Sequence, residues 1–209
     1  MRMPESLTLY GDSKSGNCYK IELTCAELGI AYVWREVDIL AGETRTSEFL
    51  ANNPNGKIPL LRLPDGRYLA ESNAIMAYLA EGTPLVGTDR YSRAEVLQWL
   101  FYEQYSHEPN IATSRFIVRF LGSPPERQAA LDEKRKAGDD ALALMEQHLS
   151  QQPYFAACGF TLADIALYAY THVADEGGFE LARYDAIGAW MARIEARATY
   201  KPMRQVAGY

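Results

Sequence analysis

The order of strand and helix signals in roughly the first eighty residues constrains the fold of this chain more than any other feature. Leu7 and Leu9 alternate with Thr and Tyr and predict a short, half-buried strand that ends at Gly11. Residues 31–39 are rich in β-branched and aromatic side chains and predict a second strand. Between the strands, apolar residues recur at helical spacing up to a closing glycine: Cys18, Ile21, Cys25, Leu28 and Gly29. Such a strand–helix–strand unit places both strands parallel in one sheet.

A second group of signals extends this pattern to residue 81. A short helix or irregular segment follows the second strand. The stretches "KIPLLRL" and "RYLAE" then flank the turn sequence "PDG" and predict a β-hairpin. Ser72 is suited to cap the next helix, whose inner face carries Ile75, Met76 and Leu79. The resulting order, βαβαββα, is that of a thioredoxin-like α/β domain, and we assign it to residues 1–81.

The rest of the chain predicts helices alone. Residues 82–91 contain Gly, Thr and Pro without periodicity and are typical of a linker. Residues 92–209 show helical stripes of apolar side chains, and "TLAD" at Thr161–Asp164 resembles a capping box with Asp in place of Glu. We therefore expect an all-α C-terminal domain over residues 92–209.

Composition and charge exclude several classes of partner. The net charge of −6 is not accompanied by a basic block, which disfavours nucleic acid and anionic membrane surfaces. No apolar run approaches the roughly 18–20 residues of a membrane span, and the N-terminus lacks a signal peptide's apolar core. The three cysteines have neither disulfide-framework nor zinc spacing. We expect a cytoplasmic protein with reduced cysteines and no metal.

The turn "SGNCYK" is the first candidate for a functional site. It has the layout of a redox turn between strand and helix, but Ser15 stands where the first cysteine of a Cys-x-x-Cys pair would be. A serine hydroxyl with no base beside it is a poor nucleophile, whereas it readily donates one hydrogen bond. A small thiol supplied from outside would be stabilised as a thiolate by Ser15, by Asn17 and by the helix N-terminus. The same residues are also compatible with a plain capped turn.

Two further stretches favour a ligand over a plain turn. Ile58 precedes Pro59 at the start of the hairpin, where a cis proline in this fold would turn the backbone groups of Ile58 toward a peptide ligand. Glu71 and Ser72 stand at the start of a helix, where Ser72 would bind a carboxylate and Glu71 would face an amino group. A peptide that has a thiol and a terminal amino acid with both charges fits this set. Glutathione is such a peptide.

These stretches together resemble the cytosolic glutathione S-transferases over nearly the whole chain. The likeness is carried by "SGNCYKI", "NPNGKIPLL", "ESNAI", "TLADIALY" and "AWMARI", in this order and spacing. It implies an enzyme that binds glutathione as co-substrate, stabilises its thiolate and conjugates it to a small hydrophobic electrophile. It also implies a homodimer, in which the first helix of the second domain meets the partner's α/β domain.

The resemblance assigns roles to individual residues. Ser15 matches the serine that hydrogen-bonds the glutathione sulfur in theta-like and zeta-like members, and Asn17 matches an asparagine of nu-like members. Ser13 is a competing donor if the turn shifts by two residues, but Ser15 alone occupies the first position of the turn that opens the helix. The remaining glutathione contacts would be the backbone of Ile58 for the cysteinyl part, and Lys57 and Arg45 near the glycyl end, with Arg45 placed on the second helix. Glu71 and Ser72 would hold the γ-glutamyl end.

The helical domain would supply the electrophile pocket. The aromatic-rich stretch "WLFYEQYSHEP" suggests Tyr105 and Ser106 as pocket residues, while Trp99 and Phe101 are expected in core or dimer packing. Two other functions remain open at this stage. Asn17 and the nu-like likeness also suggest glutathione-dependent disulfide or peroxide reduction, and the same fold can serve as a non-catalytic binding module.

Overall fold

The structure, a computed structural model, describes residues 6–204. These residues form two compact units: residues 6–81 together with 199–204, and residues 82–198. The sequence interpretation placed 199–204 with the helical domain, whereas the structure packs this segment on the first unit. Tyr19 donates a hydrogen bond from its hydroxyl to the carbonyl of Lys201 at 2.7 Å, and Arg204 pairs with the buried Glu22 at 2.9 Å.

The first unit is built on a four-stranded mixed sheet in the order β2-β1-β3-β4. The strands are β1 (Thr8–Gly11), β2 (Val33–Glu36), β3 (Leu60–Arg62) and β4 (Tyr68–Ala70). Strand β2 runs parallel to β1, while β3 is antiparallel to both β1 and β4. The predicted parallel pair and hairpin are therefore confirmed.

Three helices complete this unit: α1 (Gly16–Leu28), α2 (Ser47–Asn52) and α3 (Ser72–Leu79). Helix α1 ends because Gly29 adopts the left-handed conformation with φ 65°. A 3-10 turn at Glu43–Arg45 precedes α2, which accounts for the mixed signal of this region. Helices α1 and α3 pack against each other, which brings their N-termini close. The predicted order βαβαββα is confirmed.

The second unit is helical, and the structure shows no β-strand within residues 82–198. Its helices are α4 (Arg90–Tyr102), α5 (Glu108–Arg115), α6 (Gln128–Leu149), α7 (Leu162–Thr171) and α8 (Asp185–Glu195). A π-helical segment at Glu103–His107 joins α4 to α5 just before Pro109. The fold class, a thioredoxin-like α/β domain with an all-α domain, is confirmed.

A buried carboxylate organises the core of the second unit. Asp164 is inaccessible to solvent and accepts hydrogen bonds from the backbone N–H of Thr161 at 2.9 Å and of Phe155 at 3.1 Å. It also accepts from the indole N–H of Trp190 on α8, at 3.0 Å. The predicted capping box thus starts α7 and also ties that helix to α8.

A membrane-spanning helix requires about 20 consecutive, predominantly apolar residues. The longest of them, α6, has 22 residues but carries many charges. Within residues 6–204, no helix combines the length and the apolar character needed to cross a bilayer.

Candidate functional site

Ser15 caps the N-terminus of α1. Its backbone is extended, and its hydroxyl oxygen accepts a hydrogen bond from the N–H of Cys18 at 3.4 Å. Acting as an acceptor leaves the hydroxyl proton available to a further partner. Since Ser15 is only half-buried, a ligand atom beside it would meet both this proton and the positive end of α1.

Asp12 holds the turn that presents Ser15. Its carbonyl accepts from the N–H of Ser15 at 2.9 Å, and its carboxylate accepts from the N–H of Lys14 at 2.9 Å. The carboxylate is buried, and this burial raises the pKa of Asp12 above its ordinary value. Sequence reasoning passed over Asp12, although an aspartate directly after a strand and two residues before a turn amide is a known turn-forming pattern.

The competing hydroxyl, that of Ser13, has a partner in the structure. Both the N–H and the hydroxyl of Ser13 donate to one carboxylate oxygen of Glu36, at 2.9 and 3.0 Å. If the Ser13 hydroxyl donated to a ligand instead, this charge-assisted hydrogen bond to Glu36 would be lost. The geometry therefore favours Ser15 as the donor to a thiolate.

Cys18 lies in the interior and is unsuited to be a nucleophile. It is 1% exposed, and burial raises the pKa of its thiol to about 12. Its sulfur lies against Gly11 so closely that a Cβ at that glycine would come within 2.6 Å. A buried, protonated thiol of this kind behaves as a small apolar side chain.

Replacing Cys18 with alanine is expected to leave kcat/KM for a glutathione-dependent reaction within about twofold of the wild-type value. The cavity left by the sulfur should lower the free energy of unfolding by about 1–2 kcal/mol. Steady-state kinetics and urea unfolding check the two values separately. A large loss of activity in a folded Cys18→Ala protein would show that this thiol takes part in the chemistry.

The N-termini of α1 and α3 are joined by a polar cluster. The hydroxyl of Ser72 donates to the side-chain oxygen of Asn17 at 3.2 Å. The ammonium of Lys20 donates to the Ser72 hydroxyl at 3.3 Å and to the side-chain oxygen of Asn73 at 3.4 Å. Two predicted site residues, Asn17 and Ser72, are thus in direct contact, and Lys20 is a third member that sequence reasoning missed. Its spacing three residues after Asn17 placed it on the same helix face.

Ile58 presents its backbone while its side chain is anchored. The Ile58-Pro59 peptide bond is cis. The side chain of Ile58 packs against a small core of Val37, Phe49 and Leu60. Among the described residues, no partner is found for the N–H or the carbonyl of Ile58. An extended peptide can pair with such groups as a neighbouring strand would.

Glu71 adopts an unusual backbone conformation directly before α3. Its φ is 68°, a region that non-glycine residues rarely occupy. Its side chain is exposed and makes no capping hydrogen bond to the helix. A charged residue held in this way at a helix start is typical of ligand sites, where local strain is tolerated because it serves binding.

The two predicted cations, Arg45 and Lys57, both belong to the segment that precedes β3. Arg45 belongs to the 3-10 turn and not to the second helix, contrary to the sequence interpretation. Its guanidinium donates to the carbonyl of Asn55 at 3.4 Å and lies against Gly56. Lys57 is exposed, and its carbonyl accepts from the side chain of Asn53 at 2.7 Å.

The predicted electrophile-pocket residues lie in the π-helical segment of the second unit. Tyr105 is 88% exposed, and Ser106 is half-buried with its carbonyl bonded to the Asn110 side chain at 2.7 Å. Trp99 is buried among Tyr102, His148 and Phe155, as expected for core packing, whereas Phe101 is 71% exposed. His107, at the end of the same segment, is fully buried and contacts Thr171.

Comparison with known proteins agrees with this geometry. The N-terminal domain model of glutathione S-transferases matches residues 15–81, and the C-terminal domain model matches residues 110–198. The crystal structure of a glutathione S-transferase from Pseudomonas fluorescens is 52% identical, covers 96% of this chain and 100% of its own, and superposes with a TM-score of 0.94. Glutathione S-transferase F10 of Arabidopsis thaliana is 33% identical over 191 residues, which are 86% of this chain and 87% of that protein. GstB of Escherichia coli K12 is 33% identical over 79% of this chain and 82% of its own. The chain therefore belongs to the glutathione S-transferase family.

Proposed function

We propose that this protein is a glutathione transferase that binds glutathione, stabilises its thiolate and transfers it to a small hydrophobic electrophile. Besides family membership, one observation supports the proposal. The half-buried Ser15 hydroxyl lies at the start of α1, while the nearby Cys18 thiol is buried in the interior. The chain thus offers a place for a thiolate without a thiol of its own there. The nucleophilic sulfur then comes from the co-substrate.

Bound glutathione would extend along the first unit. Its cysteinyl backbone would pair with the N–H and carbonyl of Ile58, which the fold leaves available. Its γ-glutamyl carboxylate would lie at the N-terminus of α3 near Ser72, with Glu71 facing the amino group. Lys57 and Arg45 would attract the glycyl carboxylate. These contacts hold the sulfur next to Ser15 in an orientation suited to attack.

The energy needed to ionise the thiol is modest. A free thiol has a pKa of about 8.5, and lowering it to about 6.5 corresponds to about 2.7 kcal/mol. A hydrogen bond from Ser15 to a thiolate contributes about 1.5–3 kcal/mol, and the N-terminus of α1 adds about 0.3–1 kcal/mol. The released proton goes to solvent. The sulfur lone pair then forms the new S–C bond as the leaving group departs with the old bonding pair.

We propose that the electrophile binds to the helical unit. Tyr105 and Ser106 are proposed as pocket residues, because an exposed aromatic ring next to a polar group suits a flat apolar substrate. Conjugation of such substrates is the chemistry of detoxification, and we propose that it takes place in the cytoplasm.

Titration calorimetry with glutathione, followed by an assay with an electrophilic aryl halide, tests the proposed function. We expect saturable binding and formation of the S-aryl conjugate, with a pH dependence set by the bound thiol. A protein that binds no glutathione would overturn the proposal. A protein that binds it, conjugates slowly and reduces a small disulfide rapidly would instead be a glutathione-dependent reductase.

We also propose that the protein is a homodimer that uses one face of α4. Leu97 and Phe101 lie one helical turn apart on this helix and are 50% and 71% exposed. A second copy would bury them. We expect sedimentation velocity to give a dimer for the wild type and mostly monomer for a Phe101→Asp variant. A wild-type monomer would contradict this proposal.

A further inference from the structure

Lys20 is the most unusual buried residue of the first unit. Its side chain is completely buried on α1, a rare position for a lysine that is normally tolerated only with polar partners. Its ammonium lies 3.3 Å from the Ser72 hydroxyl and 3.4 Å from the Asn73 side-chain oxygen, at the start of α3. The charge is thus placed behind the residue that would meet the γ-glutamyl carboxylate.

The direction of the hydrogen bonds makes Ser72 a relay. Its oxygen accepts from Lys20, and its proton is donated to Asn17. A carboxylate at the N-terminus of α3 can replace Asn17 as the acceptor of the Ser72 hydroxyl hydrogen bond. The Lys20 ammonium continues to donate to the Ser72 hydroxyl oxygen. A hydroxyl polarised by a cation is a stronger donor to an anion than a hydroxyl alone.

We infer that Lys20 is a positioning residue that strengthens carboxylate recognition through Ser72. The inference rests on the proposed function, since it concerns the γ-glutamyl end of bound glutathione. The cation acts through the Ser72 hydroxyl and the surrounding low dielectric, where its attraction for the carboxylate is little screened. Its contribution should therefore appear in the affinity for glutathione and depend on the γ-glutamyl carboxylate.

The test compares two ligands on two proteins by calorimetry. The ligands are glutathione and its analogue with 4-aminobutyrate in place of γ-glutamate, which lacks only that carboxylate. The proteins are the wild type and Lys20→Met, an unbranched side chain that replaces the lysine stem and removes the ammonium group and its charge. We expect Lys20→Met to weaken glutathione binding about tenfold or more and analogue binding less than about twofold, as the loss of one charge-assisted hydrogen bond predicts. In kinetics, KM for glutathione should rise while kcat changes little.

The outcomes separate this inference from the proposed function. Equal weakening of both ligands would make Lys20 a structural residue only and overturn the inference. Unchanged glutathione affinity in the variant would overturn it as well. If the wild type itself binds no glutathione, it is the proposed function that fails.

Two further measurements keep the inference testable if Lys20→Met does not fold. Lys20→Gln retains a neutral donor and should give the same contrast between the two ligands, with a smaller loss. In the wild type, the ¹⁵N signal of the Lys20 ammonium should shift when glutathione binds and stay nearly unchanged with the analogue. Identical shifts with both ligands would overturn the inference.

Discussion

Replacing Ser15 with alanine is expected to lower kcat/KM for glutathione conjugation about tenfold at pH 7, which corresponds to a loss of about 1.4 kcal/mol. The reason is that the Ser15 hydroxyl donates a stronger hydrogen bond to the thiolate than to the protonated thiol. Without it the pKa of the bound thiol should rise by about 1.5. The rising limb of the pH–rate profile should then move to higher pH, so that much of the lost activity returns near pH 9.

The pH–rate profile and the ultraviolet absorbance of the bound thiolate measure the two effects independently. Ser13→Ala is the matched control, because it removes a neighbouring hydroxyl that donates to Glu36. Ser15→Thr should retain most of the activity, since it keeps both the cap and the donor. If Ser13→Ala shifts the profile and Ser15→Ala leaves it in place, then Ser13 is the donor to the sulfur.

Ser15→Ala should also cost some stability, which has to be separated from the catalytic loss. Ser15 caps α1, and removing a serine cap typically lowers the free energy of unfolding by about 1 kcal/mol. Kinetics measured well below the unfolding temperature, at saturating glutathione, isolate the effect on the thiol. A variant that loses stability but keeps its activity would mean that Ser15 is a cap and nothing more.

The elements of the first unit were predictable because their signals are local. Alternation around Leu9, the "PDG" turn and Gly29 each specify a strand, a hairpin or a helix end within a few residues. The sequence analysis also proposed Ser15, Ile58 and Glu71 as site residues, because each stands at a boundary between elements, where backbone groups are left for a ligand.

The residues that sequence reasoning missed or misplaced depend on packing between elements. Lys20 is hydrophilic and would be expected at the surface, but it is buried because α3 packs on that face of α1. The segment 199–204 contains no strand or helix signal, and its position follows from contacts of Tyr19 and Glu22 that no local pattern shows. Arg45 lies outside the second helix because the capping threonine, Thr46, starts that helix one residue later.

The substitution with the largest expected effect on stability is Asp164→Ala, in the second unit. Its carboxylate accepts from two backbone N–H groups, from the Thr161 hydroxyl and from the Trp190 indole, all in the interior. Alanine would leave these buried donors without an acceptor, at about 1–3 kcal/mol each when no water replaces it. With partial relaxation we expect the free energy of unfolding to fall by about 4 kcal/mol. Urea unfolding followed by circular dichroism and by tryptophan fluorescence measures this loss.

Two variants show whether the loss comes from the hydrogen-bond network. Asp164→Asn keeps one acceptor oxygen for two of the donors but turns an amide N–H₂ toward the others, so an intermediate loss of about 2 kcal/mol is expected. Asp185→Ala, which removes an exposed carboxylate from the first turn of α8, should cost less than about 1 kcal/mol. The explanation would be wrong if Asp164→Ala were no more destabilising than Asp185→Ala, because a buried acceptor for four donors must matter more than an exposed charge at a helix end. It would also be wrong if Asp164→Asn were as destabilising as Asp164→Ala, since then the oxygen that asparagine retains would hold neither Phe155 nor Trp190.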